Sequence, residues 1–148
     1  MTTISQFLTA DHRRCDHFFA EAEASAKPDW ALIQENFAQF HSALTHHFSM
    51  EEKVLFPAFE QFSGNTMGPT RMMRMEHEQM LELCTRMAAA LGTQDETEYS
   101  GVAETLLILL QQHNIKEEQV LYPMSDQMLN GRATALIGDM QAVPDTLP

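Results

Sequence analysis

Two segments of this chain, His47 to Pro57 and His113 to Pro123, share the pattern H-x-x-x-E-E-x-V-L-[FY]-P. A His and a Glu four apart on a helix stand one above the other and can hold the same metal ion or neighbouring ions. Two copies point to a dinuclear site. Upstream of each copy is an acidic residue followed by a His: Asp11-His12 lies 35 positions before His47, and Glu76-His77 lies 36 before His113, counted from the histidines. The chain therefore reads as a duplicated unit in which each half supplies two histidines and one Glu-Glu pair.

The elements that must position these residues are helical. Helical periodicity recurs over about 3–25, 29–62, 69–91 and 97–129, with a short helix near 132–141, and strand signals are nearly absent. Turn chemistry separates the stretches at Lys27-Pro28-Asp29, at Ser63-Gly64-Asn65 through Gly68-Pro69, and at Gly92 to Asp95. Thr3 with Gln6 suits a capping box and Asp29 an N-cap. Long helices joined by short loops pack antiparallel, so the expected fold is all-α, an up-down-up-down four-helix bundle built from a duplicated helical hairpin with a short C-terminal helix. The bundle spans 1–141, and 142–148 is expected to be a flexible tail.

On a helix advancing about 100° per residue, Phe40, Leu44, Glu51 and Val54 share the face of His47. Val102, Leu106, Leu109, Leu110, Glu117 and Val120 surround His113 in the same way, while Glu52 and Glu118 point away. Leu8, His12, Cys15, Asp16 and Phe19 group together on the first helix, and Met73, His77, Leu81, Cys84 and Ala88 on the third. Each helix thus offers one inward His, and two helices add an inward Glu. Burying an ionised carboxylate without a cation is costly, and a half-satisfied polar core is worse than an apolar one. Two divalent ions resolve the conflict, with a bridging hydroxide or oxide offsetting the residual charge. Imidazole with carboxylate suits iron, manganese or zinc, and the absence of clustered thiolates argues against structural zinc and iron–sulfur sites.

These residues resemble the hemerythrin-like, or HHE cation-binding, family, and the likeness runs from Asp11-His12 through Tyr122-Pro123. The resemblance implies His12, His47, His77 and His113 as terminal ligands of two iron ions, oxo- or hydroxo-bridged, with Glu51 and Glu117 bridging them. It also implies reversible dioxygen binding, oxygen or iron sensing, or a response to nitric oxide or peroxide. Oxygen-carrying members place a fifth His four residues before the position of His77, where this chain has Met73. The set of four His and two Glu is more similar to bacterial proteins that repair damaged iron centres, although their Cys-bearing amino-terminal domain has no counterpart here.

A missing His leaves one iron position open to oxygen, nitric oxide, peroxide or water, unless Asp16, one turn after His12, supplies another oxygen ligand. Cys15 and Cys84 read as buried inert thiols. His17 is expected at the surface, and His41 and His46 are candidate hydrogen-bond donors around the site. Met72, Met73 and Met75 read as adaptable core filling rather than copper ligands.

The chain of 148 residues is sized for one domain. Lys and Arg number 9 against 21 Asp and Glu, a net charge of −12 that disfavours nucleic acid and anionic membrane as partners. Two cysteines outside any disulfide or zinc spacing, and no secretory leader or spanning apolar run, place the protein in the cytoplasm. The expected function is that of a di-iron protein binding or sensing a small diatomic or peroxide, with a reductase partner for any reduction because no flavin or nicotinamide fingerprint is found. Two alternatives follow from the same residues: iron storage or delivery to an acceptor protein, including repair of damaged iron centres, and a purely structural metal.

Overall fold

The computed structural model describes residues 1–24 and 27–145. Among them are seven α-helices, α1 (Ile4–Glu21), α2 (Trp30–Met50), α3 (Phe56–Ser63), α4 (Pro69–Gly92), α5 (Glu96–Lys116), α6 (Tyr122–Met128) and α7 (Ala133–Gln141), and no strand. Two π turns, Glu51–Leu55 and Glu117–Leu121, fuse α2 to α3 and α5 to α6. The result is four rods, α1, α2–α3, α4 and α5–α6, with α7 laid against α1 and the first π turn.

Local chemistry sets the ends. Thr3 and Gln6 form the expected capping box on α1. Asp29 and Asp95 cap α2 and α5 through bonds from the amides of Leu32 and Glu98. Gly64 takes the left-handed conformation that closes α3, with φ 68°. The helix α1 ends at Glu21, and its expected terminus at Ser25 lies outside the described residues.

Neighbouring rods run antiparallel throughout. Asn36 near the start of α2 reaches the Glu21 carbonyl at the end of α1 (2.9 Å), and Glu60 in α3 accepts from Thr70 at the start of α4 (2.7 Å). Arg86 late in α4 meets Glu98 early in α5 (2.9 Å). The ring closes where the Ser5 amide donates to Asp126 (3.2 Å) and the buried Tyr99 hydroxyl donates to the Ala22 carbonyl (2.6 Å). This is the expected up-down-up-down bundle.

The interior holds two hydrophobic clusters. One gathers Phe19, Ile33, Phe37, Phe40, Leu44, Met87, Tyr99 and Leu106; the other gathers Ile4, Leu8, Leu55, Phe56, Phe59, Leu121, Leu129 and the inner face of α7. His12, His47, His77, His113, Glu51 and Glu117 are buried in the register between them.

Three features of the packing differ from simple helical periodicity. The amide of the residue that follows each π turn bonds five positions back, Phe56 to Glu51 and Tyr122 to Glu117. The extra residue per turn advances the inward face by one. Leu55 and Leu121 are therefore buried, Val54 is half-buried, and Val120, expected to face His113, is 51% exposed. Pro57 and Pro123 fall in the first turn of α3 and α6, where a missing amide N–H is tolerated. Along α4 the buried Met73, His77, Met80, Cys84, Met87 and Leu91 step 4-3-4-3-4 as in a coiled coil, with Thr70 and Ala90 buried beside them. That seam leaves Leu81 at an edge and Ala88 outside, and it turns Met72 and Met75 to the surface, so of the three methionines only Met73 fills the core.

Of the tail expected over 142–148, the Val143 carbonyl accepts from His46 (3.0 Å) and Asp145 from Ser42 (3.3 Å), while 146–148 lie outside the described residues. No helix among the described residues is long and apolar enough to cross a membrane. Removing the Tyr99 hydroxyl would strand the Ala22 carbonyl where two rods meet, so Tyr99→Phe is expected to lower stability by about 1–3 kcal/mol, read as a reduced urea midpoint at an unchanged m-value.

Candidate metal centre

The six residues singled out by pattern converge in the middle of the bundle. Two overlapping groups form, His12, His47, Glu51 and Glu117, and Glu51, His77, His113 and Glu117, each with its donor atoms all within 4.8 Å of one another. Glu51 and Glu117 belong to both groups. Two adjacent donor groups that share two carboxylates could hold a pair of cations.

Each imidazole is held from behind. His47 Nδ1 bonds Asp11 (2.8 Å) and His113 Nδ1 bonds Glu76 (2.8 Å), each within its own hairpin. His12 Nδ1 bonds Glu118 (2.6 Å) and His77 Nδ1 bonds Glu52 (2.6 Å), each across to the other hairpin. A carboxylate at Nδ1 fixes the ring and leaves Nε2 turned to the centre, the support that metal-binding histidines use. Arg14 on Asp11, Arg13 on Glu118 and Lys116 on Glu76 in turn brace three of these carboxylates.

The ionisation of the cluster follows from what faces each group. Burial disfavours the charged forms of both Glu51 and His47. Their mutual attraction, with the hydrogen bond that His47 donates to Asp11, overrides it and holds Glu51 well below and His47 well above their ordinary ranges. Burial likewise opposes a charge on His77, but the adjacent Glu51 carboxylate and the hydrogen bond to Glu52 raise it to about 9. Asp11 is lowered to about 2, since His47 and Arg14 outweigh its own desolvation.

Protein contacts do not satisfy the centre. Glu51 Oε1, Glu117 Oε2, His77 Nε2 and His113 Nε2 are buried without a hydrogen-bond partner. His77 Nε2 approaches Glu51 Oε1 to 3.1 Å without the alignment of a hydrogen bond. Four orphaned lone-pair atoms aimed at common space suit a cation, and the donor set of imidazole and carboxylate suits iron, manganese or zinc. The residues present therefore fit the metal pair that their pattern implies.

Several other residues are placed differently from expectation. Asp16 is on the outer face of α1, half exposed and 3.5 Å from Arg13, so it is not a donor to the centre. His17 is exposed, His41 stacks on Phe37, and His46 holds the Val143 carbonyl; none of the three reaches the cluster. Glu52 and Glu118 do turn away from the metal space, but each grips a ligand histidine. Helical phase alone missed this role, although the second Glu recurs in both motif copies.

Tyr122 was also invisible as a site residue, and its hydroxyl donates to Glu51 Oε2 (2.7 Å) inside the cluster. Burial and the Glu117 and Glu51 charges push its ionisation well above the usual phenol range. The one available signal was that the duplicated motif carries Phe in one copy and Tyr in the other.

A family model, the hemerythrin HHE cation-binding domain, matches residues 3–125. A protein named DNA nickase from Nostoc sp. is 28% identical over 131 residues, 88% of this chain and 36% of that protein. An uncharacterized hemerythrin-like protein from Schizosaccharomyces pombe is 27% identical over 131 residues, 88% of this chain and 63% of the relative. The chain thus spans less than two thirds of either relative's length. No solved structure matches it.

Two predictions follow from the supports and the thiols. Glu118→Ala leaves His12 Nδ1 without its carboxylate and should weaken metal binding about 10–100-fold, measured by competition with a chromophoric chelator, whereas Glu78→Ala on the exposed face of α4 should not. Burial raises Cys15 to about 11 and Cys84 to about 12, and the thiolate is the reactive form. Iodoacetamide at pH 8 should leave both unmodified in the folded chain, react faster as pH rises, and label both in denaturant; mass spectrometry reads the result.

Proposed function

The chain belongs to the hemerythrin HHE cation-binding family, and on that premise we propose that it is a non-haem di-iron protein that binds or senses a small diatomic or peroxide. The observation that carries this reading is the pair of four-donor groups sharing Glu51 and Glu117. His12 and His47 would hold one iron, His77 and His113 the other, and the two glutamates both. Bound iron supplies the redox and ligand-binding chemistry.

The protein's own part is to pre-position and to exclude water. The four histidines are at most 2% exposed, and Glu51 and Glu117 are wholly buried. Phe48 stacks on His77 at 3.8 Å between centroids, and Phe56 stacks with the same ring at 5.7 Å. An apolar wall of this kind favours small neutral ligands such as oxygen, nitric oxide or hydrogen peroxide over charged ones. Any reduction draws electrons from a reductase partner.

Iron storage, delivery or repair of damaged iron centres is the competing reading. Ligands buried this deeply and braced at every Nδ1 support a retained cofactor over iron in transit. The name of the Nostoc relative does not transfer: a net charge of −12 opposes binding to a phosphate backbone. We place the protein in the cytoplasm, as a reducing home for Cys15 and Cys84.

The test is metal content of protein purified without oxygen, followed by optical spectra before and after oxygen and then nitric oxide are admitted. About two irons per chain with spectra that change with the added ligand are expected. Iron that is bound but silent to every ligand, and that passes readily to an acceptor, would establish the storage or delivery reading instead. Stoichiometric zinc would sink both.

A further inference from the structure

One chemical difference between the two halves places a polar atom inside the centre. Phe56 and Tyr122 occupy equivalent places in the duplicated motif, and their rings sit alike: Phe56 lies 5.7 Å from His77 at 22°, and Tyr122 lies 5.5 Å from His12 at 28°. Tyr122 adds a hydroxyl. Its oxygen is 2.7 Å from Glu51 Oε2, 3.1 Å from Glu117 Oε1, 3.1 Å from His12 Nε2 and 3.3 Å from His47 Nε2.

When the two rings are neutral, as a bound metal requires, their protons are committed to Glu118 and Asp11 at Nδ1, so four lone-pair atoms face one phenol. A hydroxyl has a single proton and can serve one of them at a time. A cation serves all four and the phenol oxygen as well. In an octahedral ion with bonds of roughly 2.1 Å, adjacent donors stand roughly 3.0 Å apart, which is the spacing between the Tyr122 oxygen and its neighbours.

We propose that Tyr122 is a fifth protein donor to the metal held by His12, His47, Glu51 and Glu117, and that the His77–His113 position, faced by Phe56, is the one left open to an exogenous ligand. The proposal rests on the di-iron reading above. Coordination exchanges the phenol O–H bond for a metal–oxygen bond, the proton passes to solvent, and no electron is transferred.

The test compares the aerobic, iron-loaded full chain with Y122F and F56Y by iron analysis, visible absorption and resonance Raman, with circular dichroism to confirm folding. The wild type is expected to carry about two irons and to show phenolate vibrations enhanced by a phenolate-to-ferric charge-transfer band. Y122F should lose both signals while keeping its iron. F56Y should strengthen them, and should lose the response to nitric oxide that Y122F retains. A wild-type iron protein without phenolate vibrations overturns the ligation of Tyr122 but leaves the di-iron reading intact, and this outcome needs no variant to fold. Phenolate signals that survive in Y122F, or loss of the nitric oxide response in Y122F with retention in F56Y, also overturn it. A wild-type chain that binds no iron overturns the di-iron reading and this inference together.

Discussion

Two carboxylates, Glu51 and Glu117, lie wholly buried where the two hydrophobic clusters of the bundle meet, and the rest of the structure is arranged around their charge. Leaving them ionised among apolar side chains would cost several kcal/mol each, and protonating them would forfeit their use as ligands. The bundle answers with four imidazoles at the same level, one from each rod. That answer is incomplete without a cation, because both glutamates and two of the imidazoles keep an atom with no partner. A bound cation would complete the core, which would couple metal binding to folding.

The duplication solves the second problem, which is to keep four rings aimed inward. Asp11 and Glu76 each hold a histidine of their own hairpin, while Glu52 and Glu118 each hold a histidine of the other. Each Glu-Glu pair thus divides its work, one carboxylate entering the centre and the next reaching sideways to a neighbouring rod. Two of the four bonds that orient the ligands, from His12 to Glu118 and from His77 to Glu52, are also bonds between the hairpins, so the halves are tied together at the level of the site. The π turns belong to this design. They begin at Glu51 and Glu117 and advance the inward face by one residue, which brings Leu55 and Leu121 into the core beneath the centre.

Against this near-symmetry, the Tyr122 hydroxyl helps to make the two positions unequal. Tyr122 crowds the His12–His47 side with a polar atom, and Phe48 and Phe56 line the His77–His113 side with hydrocarbon. On the proposal made for Tyr122, this aromatic pair would separate a fully coordinated metal position from an open one.

How much of this was legible in the sequence depends on the range of the interaction involved. The H-x-x-x-E spacing, the acidic-His pairs and the 35- and 36-residue separations are properties of single helices and of their repetition, and they led directly to the six clustered residues and to an antiparallel bundle. Asp16, Val120 and Ala88 came out differently because a uniform 100° step cannot register a π turn or the 4-3 drift of a packed seam, whereas Met72 and Met75 were read as core from side-chain type although the helical step already turns them away from His77. The roles of Glu52, Glu118 and Tyr122 depend on which rod stands beside which. By itself, the sequence determined the helices, the donor types and their number, since these follow from local periodicity and side-chain chemistry. Only the tertiary structure decided which carboxylate grips which histidine and where the phenol oxygen points, because those are distances of about 3 Å between residues as many as 110 positions apart.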